Sequence, residues 1–191
     1  MPIIKLDTTP ALVVIDLQKG IAALSTVHPV AEIIARTVSL ARAFREKSLP
    51  VVLVNVAGMP PGRTETDRPK FAFPPDWTEF VPALEQQPGD YLVTKQCVGA
   101  FTGTPLHDIL RQRSVTQIVL TGIATSAGVE STARSAYDYG YNVAFIVDAM
   151  TDRETEKHQH CIEKIFPRLG ELDTTDNLLK LLNEQPKSRN A

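Results

Sequence analysis

Asp16 closes one apolar run of the chain and Lys95 closes another. A carboxylate beside an ammonium in a crevice can act as an acid/base pair, each group tuning the pKa of the other. Spacing alone leaves a second reading open, in which Asp16 caps the next helix or a turn and Lys95 is solvated. A third feature is the stretch from Gln117 to Ala136, a β-branched apolar run that stops at small residues and passes into a helical pattern. It reads as a buried strand, a tight turn and a helix N-terminus. At the carboxyl end of a parallel strand such a junction offers unpaired N–H groups and the positive end of a helix dipole, where an anion or a developing oxyanion is stabilised. Gly128 heads that helix and supplies space and backbone donors but no nucleophile.

The elements that must position these residues can be read from the hydrophobic pattern. Residues 11–17 form an apolar run broken only by Asp16, as in a strand buried on both faces of a parallel sheet. Pro29 opens a helix whose apolar face carries Ile33, Ile34, Leu40, Ala41 and Phe44. Further strands are expected over 50–56, 90–95, 116–123 and 142–149, with an edge strand over 168–173. Thr104 and Pro105 suit the cap and first position of a helix through Arg113. The helix after the fourth strand runs to about Tyr139 and stops at Gly140. A charged helix is expected over 153–166, and a last one after Thr174 or Thr175 carries Leu178, Leu179, Leu181 and Leu182. Between 57 and 76 the pattern dissolves into a long loop, read as a pocket wall or lid, with Phe71, Phe73 and Trp77 packing part of it.

Strands alternating with helices predict an α/β fold: three layers, with a doubly wound, mainly parallel sheet whose ligand crevice lies at the strands' carboxyl ends. The 191 residues are expected to form a single domain, with a core over about 10–182 and a frayed tail over 185–191. A formal net charge of -2 leaves no electrostatic footprint for nucleic acid or an anionic membrane. Two cysteines, Cys97 and Cys161, are too few for a disulfide framework, and no stretch approaches the roughly 20 apolar residues needed to span a bilayer. A cytoplasmic protein is expected.

Three segments together carry a family resemblance: Val13-Val-Ile-Asp-Leu-Gln18; Lys95 followed by Gly99-Ala-Phe101 and Gly103-Thr104; and Thr121-Gly-Ile-Ala-Thr-Ser-Ala-Gly-Val-Glu-Ser-Thr-Ala-Arg134 followed by Gly140-Tyr-Asn-Val143 and Val147-Asp-Ala149. Their order and spacing resemble the isochorismatase-like hydrolase superfamily, which includes nicotinamidases, N-carbamoylsarcosine amidases, ureide hydrolases and isochorismatases. The resemblance implies a six-stranded sheet and an Asp, Lys, Cys triad in which a thiolate attacks an amide carbonyl. Asp16 and Lys95 match the first two members, and the cysteine position is Gly128. Glycine cannot be a covalent nucleophile. Isochorismatases also keep the Asp and Lys and carry glycine there; they hydrolyse a vinyl ether by protonating the enol-ether carbon. By that resemblance Asp16 is the general acid, and Lys95 binds or polarises a substrate oxygen. Substrate-binding or oxyanion roles are expected for Ala124, Thr125, Gln18, Phe101 and Trp77. The resemblance further implies a cis peptide between Ile123 and Ala124, and a homodimer or homotetramer.

Isochorismatases carry a bulky tyrosine where Ala124 stands, and basic pocket residues that Arg63 or Arg68 would have to supply. The chain is more similar to cysteine-less members with the Thr125-x-x-Gly-Val-Glu-Ser-Thr-Ala-Arg134 segment, so vinyl ether and C–N hydrolysis of a small molecule both stay open. The same features fit a catalytically silent member that uses the fold to bind ligands or to assemble. Cys97 could stand in for the missing thiol or be a small, buried, inert one. His158 and His160, two apart on a helix, point to different faces and read as solvated rather than as metal ligands. Metal-dependent nicotinamidases of that superfamily carry an Asp and His cluster after the second strand; residues 57–76 contain no His, so the resemblance implies no catalytic metal here, and no other cofactor is expected. Glu130 and Arg134, one helical turn apart, read as an ion pair or an interface contact, with a catalytic role as the alternative.

Overall fold

The computed structural model describes residues 2–65 and 73–185. Arg68, Phe71 and positions 186–191 of the expected tail lie outside the described residues. The elements in chain order are β1 (Pro10–Ile15), α1 (Lys19–Ala22), α2 (Val30–Glu46), β2 (Val51–Val56), β3 (Tyr91–Lys95), α3 (Leu106–Gln112), β4 (Gln117–Ile123), α4 (Glu130–Asp138), β5 (Asn142–Thr151), α5 (Thr155–His160), β6 (Glu171–Asp173) and α6 (Thr175–Glu184). The strands form one sheet in the order β3-β2-β1-β4-β5-β6, every neighbouring pair parallel. The chain builds outward from β1 to β3, then returns to lay β4 on the other side of β1. The reversal opens a crevice beyond the carboxyl ends of β1 and β4.

β1 and β4 are buried at every position because both faces of the sheet are covered. Successive side chains alternate between the two faces. Ala11, Val13, Ile15, Val52, Val54, Ile118 and Leu120 pack with Leu106 and Leu110 of α3 and Ala133 and Ala136 of α4. Leu12, Val14, Leu53 and Val119 pack on the opposite side with Ile33, Leu40 and Phe44 of α2 and Leu178 and Leu182 of α6. No helix among the described residues is long and apolar enough to cross a membrane.

The structure departs from the sequence expectations in several places. The helix after β4 opens with a wide π turn, Thr125–Val129, before the regular α4. β5 runs on to Thr151, because extra residues slip in between the pairings Leu120 to Phe145 and Gly122 to Met150. The helix expected over 153–166 is shorter: α5 passes into a second π turn, Cys161–Ile165, and a 3-10 turn, Phe166–Arg168. α1 is a single turn, too short for a periodic signal. Pro105 rather than Thr104 stands at the N-cap of α3; Thr104, one residue earlier, still accepts from the N–H of Leu106 at 3.3 Å through its Oγ1.

Gly122 shows why the central strands can lie as they do. Its φ is +115°, and a Cβ there would stand 2.0 Å from the carbonyl oxygen of Ile15, the residue before Asp16. Gly122→Ala is expected to destabilise the fold by about 2–4 kcal/mol, combining left-handed strain with overpacking against backbone. Gly62→Ala, where nothing lies within 4 Å, should move stability by less than about 0.5 kcal/mol. Urea denaturation of both variants checks the difference; equal midpoints would contradict the reading.

Candidate active site

Asp16 follows β1 immediately and takes a left-handed φ of 51°, uncommon for a residue with a side chain. Lys95 ends β3, two strands away, and its side chain passes the end of β2 to meet Asp16. Lys95 Nζ lies 2.9 Å from Asp16 Oδ2 and donates to the carbonyl of Val98 at 2.6 Å. The Lys95 side chain is 1% exposed and that of Asp16 8%, so neither is the solvated or merely capping residue of the alternative reading. Burial pushes the Asp16 carboxyl up to about 6, although Lys95 pulls in the other direction. The other carboxyl oxygen, Oδ1, is buried with no hydrogen-bond partner.

Gly128 completes the group. A Cβ built on it would stand 3.1 Å from Lys95 Nζ, 3.2 Å from Asp16 Oδ2 and 2.7 Å from Ile15 Cγ2. Any side chain at this position would therefore enter the Asp16–Lys95 pair. Thr132 fixes the distance between the two segments involved. It donates to the carbonyl of Gly128 at 2.6 Å and accepts from the N–H of Ala100 at 3.0 Å, tying the turn after β4 to the loop after Lys95.

These residues border a cavity of about 230 Å³. Its wall is mostly apolar: Ile21, Leu24, Val56, Val98, Ile123 and Ala127, with Ala124 at the end of β4. The peptide between Ile123 and Ala124 is cis. Gly58, Met59 and Pro60 also line the cavity, so the first part of the long loop is a pocket wall. Cys97 is half-buried and faces the same space, rather than being the buried thiol of one reading. Cys161 is the buried one; burial together with Glu130 pushes it up to about 12.

The remaining expected binding residues lie elsewhere. Gln18 is fully buried and committed to backbone: its amide nitrogen donates to the carbonyls of Val56 at 3.0 Å and Trp77 at 2.9 Å, and its oxygen accepts from the N–H of Val56 at 2.6 Å. Trp77 stacks on Phe73 with ring centres 4.3 Å apart and covers Gly20. Phe101 packs on Tyr139 and Tyr141. Thr125 turns its hydroxyl to His158 Nδ1 at 2.8 Å. His158 is thus buried, contrary to the solvated reading: on a helix two residues point to different faces, and here one of them faces the core while His160 stays exposed. Glu130 and Arg134 form an exposed ion pair at 2.9 Å. Arg63 is exposed and takes no part in the cavity wall. Among the described residues no cluster of three or more His, Cys, Asp or Glu could hold a metal ion.

Two residues at the end of β5 alter the electrostatics and carried no sequence signal. Asp152 is buried and accepts from the N–H of Ser126 at 2.6 Å, so a carboxylate already occupies the first turn after β4. The N–H groups of Ala127 and Val129 both go to the carbonyl of Ala124. The turn is therefore a weaker anion site than its sequence implies. Arg153, next to Asp152, lines the cavity, and its guanidinium makes no ion pair or hydrogen bond among the described residues.

Comparison with known proteins agrees with this fold. The uncharacterized isochorismatase family protein YwoC of Bacillus subtilis (strain 168) is 43% identical over 177 residues, 89% of this chain and 92% of that one. The uncharacterized isochorismatase family protein YecD of Escherichia coli O157:H7 is 36% identical over 181 residues, covering 91% and 96%. The solved structure of an isochorismatase family protein from Burkholderia thailandensis superposes with a TM-score of 0.90 at 42% identity, covering 94% of this chain and 98% of that one. With the isochorismatase domain profile matching residues 10–177, across all six strands and the Asp16–Lys95 pair, the chain belongs to the isochorismatase family of hydrolases.

Proposed function

We propose that the protein hydrolyses a small metabolite by non-covalent acid/base chemistry, with Asp16 moving the proton and Lys95 holding it in place. The observation that carries this is the buried Asp16–Lys95 pair, 2.9 Å apart, at the wall of a mostly apolar cavity, with Asp16 Oδ1 left without a protein partner. A buried oxygen without a partner costs free energy unless a ligand or water meets it. A carboxyl raised to about 6 also holds a proton close to neutral pH, as a general acid must.

For a vinyl ether the steps balance without a nucleophilic side chain. The Asp16 proton forms a C–H bond at the enol-ether carbon and leaves an oxocarbenium ion; water adds to that ion and returns a proton to the Asp16 carboxylate. The resulting hemiketal breaks its C–O bond to release a ketone and an alcohol. Lys95, fixed by Val98 and Asp16 Oδ2, keeps the carboxyl oriented and stabilises its charge after transfer. For a C–N substrate the roles reverse: the Asp16 carboxylate takes a proton from the attacking water and gives it to the leaving nitrogen as the C–N bond breaks, and the turn from Ala124 to Gly128 would face the developing oxyanion.

Hydrolysis of isochorismate and a panel of small amides such as nicotinamide, by wild type and variants, tests the assignment. Asp16→Asn is expected to lower kcat/KM by about 100-fold or more, while Cys97→Ala stays within about threefold of wild type. Loss of turnover in Cys97→Ala would make that thiol the nucleophile and sink the non-covalent route. Failure of every substrate in the panel would favour the catalytically silent reading.

The pH profile separates the two chemistries. An acid must be protonated, so with Asp16 as general acid kcat/KM should be level below about 6 and fall tenfold per pH unit above it. With Asp16 as general base the limb runs the other way, rising up to about 6. A profile flat from pH 4 to 8 would remove Asp16 from the chemistry.

A further inference from the structure

We propose that Gln18 is a positioning residue for the Asp16–Lys95 pair: its amide holds the end of β2, past which Lys95 must reach to meet Asp16. The proposal rests on the reading of that pair as the reacting groups. β1 and β2 pair in register as far as Ile15 and Val54, and the N–H of Asp16 still donates to the carbonyl of Val54 at 2.9 Å. There Asp16 takes its left-handed φ of 51° and the main chain leaves the sheet. The Gln18 side chain fills the place beside Val56 that a further residue of β1 would take. It accepts from the N–H of Val56 at 2.6 Å and donates to the carbonyl of Val56 at 3.0 Å, because a primary amide presents the same donor and acceptor as a peptide unit.

Val56 is the residue that β2 pairs with Lys95, and the N–H of the next residue, Ala57, donates to the Lys95 carbonyl at 2.9 Å. Gln18 therefore fixes, through Val56, the strand that separates the two reacting groups, and Lys95 Nζ crosses that strand end to lie 2.9 Å from Asp16 Oδ2. The same Gln18 nitrogen donates to the carbonyl of Trp77 at 2.9 Å, which also accepts from the N–H of Gly20 at 3.2 Å. One amide thus joins the end of β2 to the segment that follows the long loop. The Asn55 amide adds a bond to the Thr78 carbonyl at 2.7 Å alongside it. The cavity wall hangs on the same point: Val56, Gly58, Met59 and Pro60 continue from β2, and Ile21 and Leu24 follow Gln18. The Gln18 side chain is fully buried, both of its amide donors are engaged, and it makes no capping bond to α1 although Gln18 stands at the N-cap. Its route to the chemistry is through Asp16 and Lys95, not through contact with a substrate.

Carbon-13 NMR titration of the Asp16 carboxyl, identified by its absence in Asp16→Asn, tests the proposal without needing turnover. Gln18→Met keeps the length and packing of the side chain and removes its hydrogen bonds. Wild type should titrate at about 6; in Gln18→Met, with Lys95 drawn off and burial unrelieved, the carboxyl should titrate above about 7. Gln18→Asn, which keeps the amide but is one methylene too short for both carbonyls, should fall between them. A role in stability alone would lower the urea midpoint of both variants and leave the titration at about 6, and that result would overturn the proposal. Should neither variant fold, wild type still decides: the side-chain amide protons of Gln18 are expected to exchange at least about a hundredfold more slowly than those of the exposed Gln112, and equal rates would show that the clamp does not hold in solution. On any substrate that wild type hydrolyses, Gln18→Met should lower kcat by at least about tenfold with KM within about threefold; a raised KM with kcat intact would make Gln18 a binding residue instead. Full hydrolysis by Asp16→Asn would defeat the acid/base reading and leave the titration result standing.

Discussion

The buried ion pair of Asp16 and Lys95 is the constraint on which the rest of the site depends. Removing two charges from water costs several kcal/mol per ion, and their attraction offsets that only with good geometry and further hydrogen bonds. The geometry here is imposed from both ends. Asp16 is turned into the crevice by a left-handed backbone, which needs the carbonyl of Ile15 close against Gly122. Lys95 is held from the other side by the carbonyl of Val98. The compensation is incomplete, because Asp16 Oδ1 has no partner.

The same logic separates the two glycines of the β4 segment. Gly122 is required by backbone, since a Cβ would run into Ile15 at 2.0 Å. Gly128 is required by the site, since a Cβ would sit between Ile15, Lys95 and Asp16. At the next level Asp152 changes the meaning of the turn that contains Gly128. A helix start is ordinarily attractive to anions, yet here a side-chain carboxylate from β5 meets its Ser126 N–H.

Much of this was legible in the sequence. The apolar runs and the 3.6-residue pattern of α2 located five strands and the main helices, because a sheet covered on both faces demands continuous apolar strands and one-sided helices. Asp16 and Lys95 stood out as charges ending buried strands, and Gly128 as the bare head of a helix. What escaped depended on three-dimensional neighbours. Gln18 looked like a ligand-facing amide, but its hydrogen-bonding groups meet the backbone of Val56 and Trp77, which come close only in the fold. The spacing of His158 and His160 showed that they point apart; which of them faces inward depends on Thr125. The π turns at Thr125–Val129 and Cys161–Ile165 leave no composition signature. Arg153 resembled any surface arginine at a helix start, and its position follows from the extra residues in β5.

Glycine at position 128 is more than a deleted side chain. The 2.7 Å approach of Ile15 Cγ2 to a Cβ there means that the core of β1 has closed over the position. Ile15 also precedes Asp16, so any group added at 128 presses on the residue that sets the direction of the Asp16 carboxyl. A side chain at 128 would therefore require Ile15, Lys95 or Asp16 to shift from its present place. With no side chain at 128 and the Asp16–Lys95 pair buried at a mostly apolar wall, the arrangement suits chemistry that needs only a proton and a water better than chemistry that needs a covalent intermediate at that position.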